Sequence, residues 1–525
     1  MKLLLTTLAI VYLSLFMSLQ AQEQVRVIPY PAEVTMQAET CKLKSGQKIH
    51  YLDASLYKEA AFLEKKLADL NYKMKVIPGK KAAKGINLSL DNRLQNKEGY
   101  QLIIAPKQVL IKGGSPAGVF YGIQTLLQQL TNGDLRCGTI EDAPRYEWRG
   151  YMLDEARHFS GEKRVKQILD LMAYYKMNRF HWHLTDAQGW RIEIKQYPKL
   201  ATIGGEGCHS DPDTPAQYYT QEQIRDIIAY AKERHIEIIP EIDMPGHAEA
   251  ALHSYPELGC FNRPVEIPKL GFTPNIFCAG KENTLQFLKN VLDEICTLFP
   301  SSYIHLGGDE APKDNWNKCP DCQKRIANLG LKNSHDLQLW FSAQMAEYLK
   351  SKGKKAIFWG DVVYNDGYPL PDNIVIQWWN YRGHKDLALR NALRHHYPVI
   401  CSTNYYTYLN FPLTPWKGYE QARTFDLKDV YMNNPSYKAT QESNPLIRGM
   451  GCALWTDDGV KEYMIDRRLF PRILALAEQM WHNGPLMDFD AFYQRILHKK
   501  KWFENRGYGF GPALTEETDN NYKWE

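Results

Sequence analysis

Two adjacent carboxylates, Asp309 and Glu310, are the residues of this chain best suited to chemistry. They follow an apolar stretch and a glycine pair in the string Tyr-Ile-His-Leu-Gly-Gly-Asp-Glu at residues 303–310. Neighbouring side chains of a regular strand point to opposite faces, but glycines at a strand end allow both carboxylates to face one ligand. Carboxylates that share a pocket have their pKa values pushed apart, so one can act as an acid and the other as a stabilising anion. Such a pair is suited to cleaving a glycosidic bond.

Polar and aromatic residues also follow other apolar stretches in the later part of the chain. Acidic, basic and histidine residues cluster at 153–159, 180–186 and 238–247. Later stretches end in an aromatic residue, namely Trp359, Trp379, Tyr408 and Trp455. Sugars stack their C–H faces on aromatic rings and donate their hydroxyl groups to carboxylates, so these clusters predict a carbohydrate site.

Each cluster also has a plainer structural interpretation. His181 and His183 could be a zinc pair, but no helix of the HExxH type accompanies them, which favours packed core histidines. Asp154 and Arg157 could form only a structural ion pair, and a tryptophan at a strand end usually packs in the core. The clusters nevertheless recur at successive strand ends, which chance packing does not explain.

The order of strands and helices indicates how these residues could meet. Short apolar strands near residues 151, 179, 237, 303, 356, 374, 399 and 450 alternate with amphipathic helices, the clearest at 162–175, 221–234, 284–298 and 335–350. This pattern predicts an α/β fold with a (β/α)8 TIM barrel, in which strand ends form the rim of the active site. A doubly wound sheet is the alternative, and the lack of a Gly-x-Gly-x-x-Gly motif weakens it.

The remaining sequence predicts domains on either side of the barrel. Residues 1–21 are typical of a secretory signal peptide, and we expect a small α+β domain at 22–143, the catalytic barrel at 144–486 and a C-terminal helix and tail at 487–525. The apolar stretch of the leader is short, so no membrane span is expected in the mature chain. The protein is expected to be exported, to the periplasm, the outer surface or the medium. A net charge of +4 with dispersed basic residues gives no nucleic-acid footprint.

Ten cysteines in 525 residues do not indicate a disulfide scaffold. Cys319 and Cys322 could be a redox pair, half a zinc site or a small disulfide loop. No second CxxC motif is present, so we favour a disulfide or free thiols. Cys260 and Cys278 flank a proline-rich loop and are a second candidate disulfide.

Several long motifs closely resemble those of glycoside hydrolase family 20, the β-N-acetylhexosaminidases. The matching segments are Arg157-His158-Phe159 and residues 181–186, 240–247 and 305–310, in the order and spacing of the family. The first domain is similar to the small domain that precedes the barrel in this family. The resemblance implies exo-acting, retaining hydrolysis of terminal β-GlcNAc or GalNAc residues on a glycan, in which the acetamido oxygen of the sugar attacks its own anomeric carbon.

The resemblance also implies roles for individual residues. Glu310 would be the general acid and then the base, and Asp309 would orient the acetamido N–H group. Tyr408 would donate to the acetamido oxygen, while Asp186 and His247 would tune Glu310. The implied substrate-binding residues are Arg157, at the outer hydroxyls, and the cage residues Trp359, Trp379 and Trp455. This chemistry needs no cofactor and no metal.

The chain departs from the family pattern at two positions. Many members have Tyr-x-Asp where this chain has Tyr408-Leu409-Asn410. Many also have Trp-x-Glu where this chain has Trp455-Thr456-Asp457. Neutral drift with ordinary specificity is one explanation. The other is a site that accepts 6-O-sulfated GlcNAc, because an amide at position 410 can donate to a sulfate that a carboxylate would repel. Lys417 is a candidate sulfate partner, and a similar change marks family members that accept sulfated sugars.

Two competing functions remain open at this point. A catalytically silent carbohydrate-binding protein could retain the barrel, although the presence of both Asp309 and Glu310 disfavours it. A glycosidase with a covalent intermediate on one of two carboxylates is the other alternative.

Overall fold

The computed structural model of the protein describes residues 25–130, 134–269, 271–381, 383–413, 424–457 and 462–517. The expected leader at 1–21 and Lys417 lie outside these residues. The chain forms two compact units. One unit ends at Arg145 and adds Ala173–Lys176 and Ala477–Tyr508, and the other comprises Tyr146–Met172, Met177–Leu476 and the segment from Gly509. Within the described ranges, no helix has the length and apolarity that crossing a membrane would require.

The first unit contains a mixed seven-stranded sheet with two long helices, Tyr57–Asp69 and Pro116–Gln129. Buried and half-exposed residues alternate along strand Tyr100–Ala105, so one face of the sheet packs on helix Pro116–Gln129. In spatial order the strands are Glu33–Lys42, Asp134–Asp142, Tyr100–Ala105, Gln108–Gly113, Gly85–Leu90, Lys48–Tyr51 and Lys75–Pro78.

Three strands of this sheet were not expected from the sequence. They are Glu33–Lys42, Lys75–Pro78 and Asp134–Asp142. Glu33–Lys42 is mostly exposed and lies at one edge of the sheet, so its hydrophobic alternation is weak. The sequence does predict strands at 48–52, 85–90, 100–104 and 109–111 and helices at 56–70 and 115–130, and the structure has each of them with ends within two residues of these.

The second unit is a closed barrel of eight parallel strands, which confirms the predicted fold class. The strands are buried along most of their length and therefore read as continuous apolar runs in the sequence. From the first to the eighth they are Trp148–Asp154, Arg179–His183, Glu237–Glu241, Tyr303–His305, Lys355–Trp359, Ile374–Trp378, Val399–Cys401 and Ile447–Leu454.

Helices connect the barrel strands and give the barrel its outer layer. A capping box begins helix Gln221–Lys232, where Thr220 and Gln223 exchange side-chain and backbone hydrogen bonds. Inside the barrel, side chains including Trp148, Ile239 and Ile357 pack into one apolar cluster. The longer helices from Tyr146 onward are Gly161–Tyr174, Gln221–Lys232, Glu282–Leu298, Pro320–Leu329, Ser334–Ser351, Leu387–Arg394, Glu462–Leu469 and Arg472–Trp481. A further long helix, Phe489–Glu504, belongs to the first unit.

Shorter helices occupy the loops after several strands. They are Lys199–Thr202, Glu249–Ser254, Asp314–Lys318, Asn404–Thr407, Leu427–Asn433 and Pro435–Thr440.

The two candidate disulfides are not formed, because all ten cysteines are free. The sulfur of Cys278 lies 3.7 Å from that of Cys319 and 3.6 Å from that of Cys322. A disulfide bond has a length of about 2.05 Å. The four cysteines of the two expected pairs instead form one cluster.

Candidate active site

The turn after the fourth barrel strand separates the two adjacent carboxylates. Gly307 and Gly308 have φ angles of 64° and 93°, and Glu310 has a φ of 45°. These left-handed conformations break the strand alternation. The Asp309 side chain is 12% exposed and that of Glu310 is 39% exposed, so the two acids have different surroundings.

A histidine lies between this acid pair and a buried carboxylate. The Nε2 atom of His247 is 3.8 Å from carboxylate oxygens of both Asp309 and Glu310. Its Nδ1 atom is 3.0 Å from Asp186, whose other oxygen is 2.7 Å from Nε2 of His183. Burial alone would lower the pKa of His247, but the Asp186 carboxylate outweighs it and raises that pKa well above the usual value. The raised pKa favours the protonated form of His247, which faces both acids.

Asp309, the more buried of the two acids, has a raised pKa. Burial and then the neighbouring Asp243 raise the pKa of Asp309 well above the usual range of an aspartate. Burial likewise raises the pKa of Asp243 to about 8. A ligand N–H group or a positive charge beside Asp309 would favour its anionic form.

Glu241, at the end of the third strand, contacts three histidines and a tryptophan of the site. One of its oxygens is 2.7 Å from His181 and 2.5 Å from His183. The other accepts a 2.8 Å hydrogen bond from the Trp359 indole and is 3.1 Å from His305. His181 and His183 thus share one strand face, as expected, and both are buried against Glu241. No role for Glu241 could be predicted from the sequence, because its partners come from separate strands.

Four aromatic residues form a cage at the same rim. The rings of Trp379 and Tyr408 are nearly parallel, with centroids 6.3 Å apart. Trp455 is 5.9 Å from Tyr408 and 5.8 Å from Trp359 between ring centroids. A parallel bridge to Ala453 of the eighth strand holds Tyr408 in place. The structure thus brings together the four aromatic residues that the sequence singled out.

Comparison with known proteins assigns the family. The model of the glycosyl hydrolase family 20 catalytic domain matches residues 146–484, and that of domain 2 of the same family matches residues 24–143. The chain belongs to glycoside hydrolase family 20. The barrel with its acid pair is the catalytic domain of this family, and the seven-stranded unit contains its domain 2.

Relatives of this family 20 chain carry related names. A β-hexosaminidase from Porphyromonas gingivalis is 36% identical over 94% of this chain, which spans 65% of that relative's length. A β-hexosaminidase from Akkermansia muciniphila is 31% identical over 84% of this chain and 91% of its own. The crystal structure of a β-N-acetylhexosaminidase from Bacteroides fragilis shares 54% identity, with a TM-score of 0.88 and coverage of 96% of this chain and 100% of its own.

Asp361 is a further site residue of this family 20 barrel that the sequence analysis missed. It accepts a 2.5 Å hydrogen bond from the Trp379 indole and a 3.4 Å bond from the backbone N–H of Glu310. Burial raises the pKa of Asp361 to about 6. Asp361 therefore ties the cage to the acid pair. Its position two residues after Trp359, at the end of the fifth strand, was the available signal.

Trp379 and its neighbour Trp378 have different contacts in the structure. The indole of Trp378 donates a 2.7 Å hydrogen bond to the backbone oxygen of Lys385. The indole of Trp379 instead packs in the aromatic cage and contacts Asp361.

Arg157 forms the polar side of the site. Its guanidinium group is 3.1 Å from Asp154 and 2.9 Å from Asp186, and it lies 5.2 Å from the centroid of the Trp455 ring. The ion pair with Asp154 that the sequence suggested is present, and it also fixes Arg157 beside the cage.

Asp457 lies near Arg157. Burial outweighs the charge of Arg157 and raises the pKa of Asp457 to about 6.

Three predicted site residues retain an oxygen atom that could accept from a ligand. The side-chain Oδ1 atoms of Asp309, Asn410 and Asp457 are buried and have no hydrogen-bond partner among the described residues. A buried acceptor without a partner is costly, so ligand N–H or hydroxyl groups are its natural complement.

Proposed function

We propose that this protein is an exo-acting, retaining β-N-acetylhexosaminidase that removes terminal non-reducing β-GlcNAc or GalNAc residues from glycans. The observation that carries the proposal is the Asp309–Glu310 pair, tied through Asp361 to an aromatic cage. The relatives' names support it, as do a Vibrio harveyi exo-β-N-acetylglucosaminidase at 28% identity, crystallised with N-acetylglucosamine, and a Streptomyces plicatus mutant at 30% identity, crystallised with the product GlcNAc.

The first step forms a ring on the sugar itself. The carbonyl oxygen of the 2-acetamido group attacks the anomeric carbon, and the bond from that carbon to the glycosidic oxygen breaks. Glu310 donates its proton to the leaving oxygen, which suits the more exposed of the two acids. The product of this step is a bicyclic oxazolinium ion.

The second step releases the sugar with its configuration retained. The Glu310 carboxylate takes a proton from water, and the water oxygen attacks the anomeric carbon on the face that the leaving group vacated. The bond from the anomeric carbon to the acetamido oxygen breaks, which regenerates the acetamido group. Glu310 is thereby protonated again and ready for the next substrate.

The chain's own residues hold the acetamido group in its attacking position. The buried Asp309 would accept from the acetamido N–H group, and its anion would stabilise the positive charge that develops there. Tyr408 would donate to the acetamido oxygen between Trp379 and Trp455. A correctly oriented intramolecular nucleophile lowers the barrier by about 7–11 kcal/mol in favourable cases.

Release of p-nitrophenol from its N-acetyl-β-glucosaminide tests the activity. We expect turnover, and a loss of about 10²–10⁴-fold in kcat for Glu310→Gln, the range of general acid–base catalysis. A folded wild-type protein that binds the sugar without turnover would instead establish the silent binding function.

A thiazoline mimic of the bicyclic intermediate separates the two hydrolytic mechanisms. We expect the mimic to inhibit far more tightly than GlcNAc, because it resembles the species that the cage encloses. Inhibition no tighter than that by GlcNAc would favour a covalent intermediate on a carboxylate.

We further infer that the site accepts 6-O-sulfated GlcNAc. Position 410 carries a buried neutral amide, whose N–H group can donate, where many members have a carboxylate. A neutral donor at the O6 edge removes repulsion of a sulfate. The expected result is higher kcat/KM on 6-sulfated p-nitrophenyl GlcNAc than on the plain compound. Asn410→Asp should reverse that order, and equal or poorer wild-type activity on the sulfated compound removes the idea.

Export of the protein is also a proposal, which rests on residues 1–21 alone. Lys2, the short apolar stretch and Ala21 support cleavage near residue 21. N-terminal sequencing of the protein from its native cells is expected to begin within a few residues of Gln22. A mature protein that retains Met1 in the cytoplasm would contradict this.

A further inference from the structure

Four cysteines from distant parts of the sequence meet in the second unit. The Sγ atoms of Cys260, Cys278, Cys319 and Cys322 all lie within 4.8 Å of one another. Cys278, Cys319 and Cys322 are fully buried, and Cys260 is half-buried. None of them has a role in the proposed glycosidase mechanism.

The sulfur separations match those around a metal ion. A Zn²⁺ ion bound tetrahedrally by thiolates has Zn–S bonds of about 2.3 Å, which places neighbouring sulfurs about 3.8 Å apart. The sulfur of Cys278 lies 3.7 Å from that of Cys319 and 3.6 Å from that of Cys322. Sulfur atoms in a disulfide would be about 2.05 Å apart.

The backbone around the cluster is built for close approach. Cys319 caps helix Pro320–Leu329, and Cys322 lies in the first turn of that helix. Gly280, two residues after Cys278, packs directly on this turn, since a Cβ atom there would lie 2.3 Å from the backbone nitrogen of Cys322. Only glycine allows the loop that carries Cys278 to reach the helix so closely.

The remaining ligand reaches the cluster through a short piece of antiparallel pairing. A bridge joins Gly259 to Phe277, and the backbone N–H of Cys278 donates a 3.0 Å hydrogen bond to Leu258. This pairing places Cys260 beside Cys278. Four ligands therefore come from one loop pair and one helix start.

The charge of the cluster also calls for a cation. The start of helix Pro320–Leu329 favours negative charge at Cys319 and Cys322. Several buried thiolates are unstable unless a cation neutralises them.

We propose that Cys260, Cys278, Cys319 and Cys322 bind one structural Zn²⁺ ion. Four thiolates complete a tetrahedron and leave no position open for water or substrate, which marks the site as structural. The ion joins the loop after the third barrel strand to the helix after the fourth. These two connections begin with His247 and with the Asp309–Glu310 pair, so the ion supports the segments from which the acid pair and its histidine project.

The CxxC motif is thus half of a zinc site whose other half has no CxxC motif. Cys260 and Cys278 are separated by 17 intervening residues and pair only through the folded loop. Sequence spacing therefore favoured a disulfide or free thiols at Cys319 and Cys322 and a separate candidate disulfide between Cys260 and Cys278, whereas the tertiary structure groups all four thiols.

Metal analysis of the full-length protein, purified without added metal or reductant, tests the proposal. We expect about one zinc per chain by mass spectrometry. Cys322→Ser and Cys278→Ser should each reduce this to less than a tenth, whereas Cys296→Ser, a half-buried cysteine outside the cluster, should retain it. A wild-type protein without zinc, or with stoichiometric iron in its place, would overturn the proposal.

Two measurements on wild-type protein do not depend on the folding of a variant. Thiol titration in denaturant with chelator should count all ten cysteines, whereas two disulfides in the cluster would leave six and refute the site. Exchange with Co²⁺ should give the visible spectrum of a tetrahedral tetrathiolate centre, and absence of that spectrum would count against the geometry. Removal of zinc should also lower the melting temperature of wild type but not that of Cys322→Ser.

Discussion

The two residues of the acid pair differ in burial. Asp309 is enclosed by Asp243 and His247, while Glu310 extends into the more open part of the site. The proposed mechanism needs Asp309 as an anion when the sugar develops positive charge. Its raised pKa means that the folded protein holds this proton to a higher pH than an ordinary aspartate would.

The pH profile should therefore show an acid limb that belongs to Asp309. Since activity requires the deprotonated acid and burial raises its pKa, kcat/KM should fall as the pH drops through a value above the ordinary aspartate pKa of about 3.9. A profile of kcat/KM between pH 3 and 9 on p-nitrophenyl GlcNAc measures it. Asp309→Asn should lose about 10²–10³-fold in kcat together with that limb. An acid limb at or below pH 4 in the wild type would contradict this assignment.

At the scale of elements, the turn after the fourth strand decides whether the acid pair can work. Gly307 has a left-handed φ of 64°, and a Cβ atom there would lie 1.8 Å from an oxygen of Asp243. Asp243 itself accepts a 3.2 Å hydrogen bond from the backbone N–H of Gly308. The glycine therefore supplies both the conformation and the room that the turn requires.

We expect Gly307→Ala to reduce kcat/KM at least tenfold and to lower the free energy of unfolding by more than the strain of the φ angle alone. Gly353→Ala is the matched control, because Gly353 has a φ of 71° with no atom within 4 Å of its added Cβ. That control should cost about 1–2 kcal/mol of stability and leave kcat/KM unchanged. Denaturation curves and initial rates of both variants provide the comparison, and equal effects of the two would show that the contact with Asp243 is unimportant.

At the scale of the whole molecule, the first unit is assembled from three separate segments of the chain. Asp142, Lys176 and Trp481 each come from a different segment and meet in its interior. The Lys176 ammonium group is 3.0 Å from Asp142, and both side chains are fully buried. The same Asp142 oxygen accepts hydrogen bonds of 2.7 Å from Tyr100 and 2.9 Å from the Trp481 indole. A buried carboxylate with these partners holds the three segments together.

Lys176→Met should therefore lower the free energy of unfolding by about 3–5 kcal/mol, since it leaves a buried carboxylate without its counter-charge. The double variant with Asp142→Asn should recover part of this loss. Lys42→Met is the matched control, because Lys42 pairs with Asp134 on the surface of the same unit, with side chains 65% and 53% exposed. It should change stability by less than about 1 kcal/mol. Similar losses for Lys42→Met and Lys176→Met in denaturant titrations would argue against a special role for burial.

The barrel and the residues at its rim could be predicted from the order of apolar stretches. Eight stretches of strand length alternate with helical patterns, which favours a closed barrel over a doubly wound sheet, and in such a barrel the residues after each strand converge. Asp309, Glu310, His247 and the cage tryptophans could be named for this reason. The glycine pair Gly307-Gly308 also predicted the turn at the end of the fourth strand.

Contacts between groups that are distant in the sequence could not be predicted in the same way. Glu241 joins histidines from two strands and an indole from a third, and Asp361 links Trp379 to Glu310, yet neither set of partners is adjacent in sequence. Likewise, Cys260 and Cys278 join the CxxC pair only because folded loops carry them there. Strand periodicity reports which face a residue occupies, whereas distances across the barrel mouth depend on loop packing that no local pattern encodes.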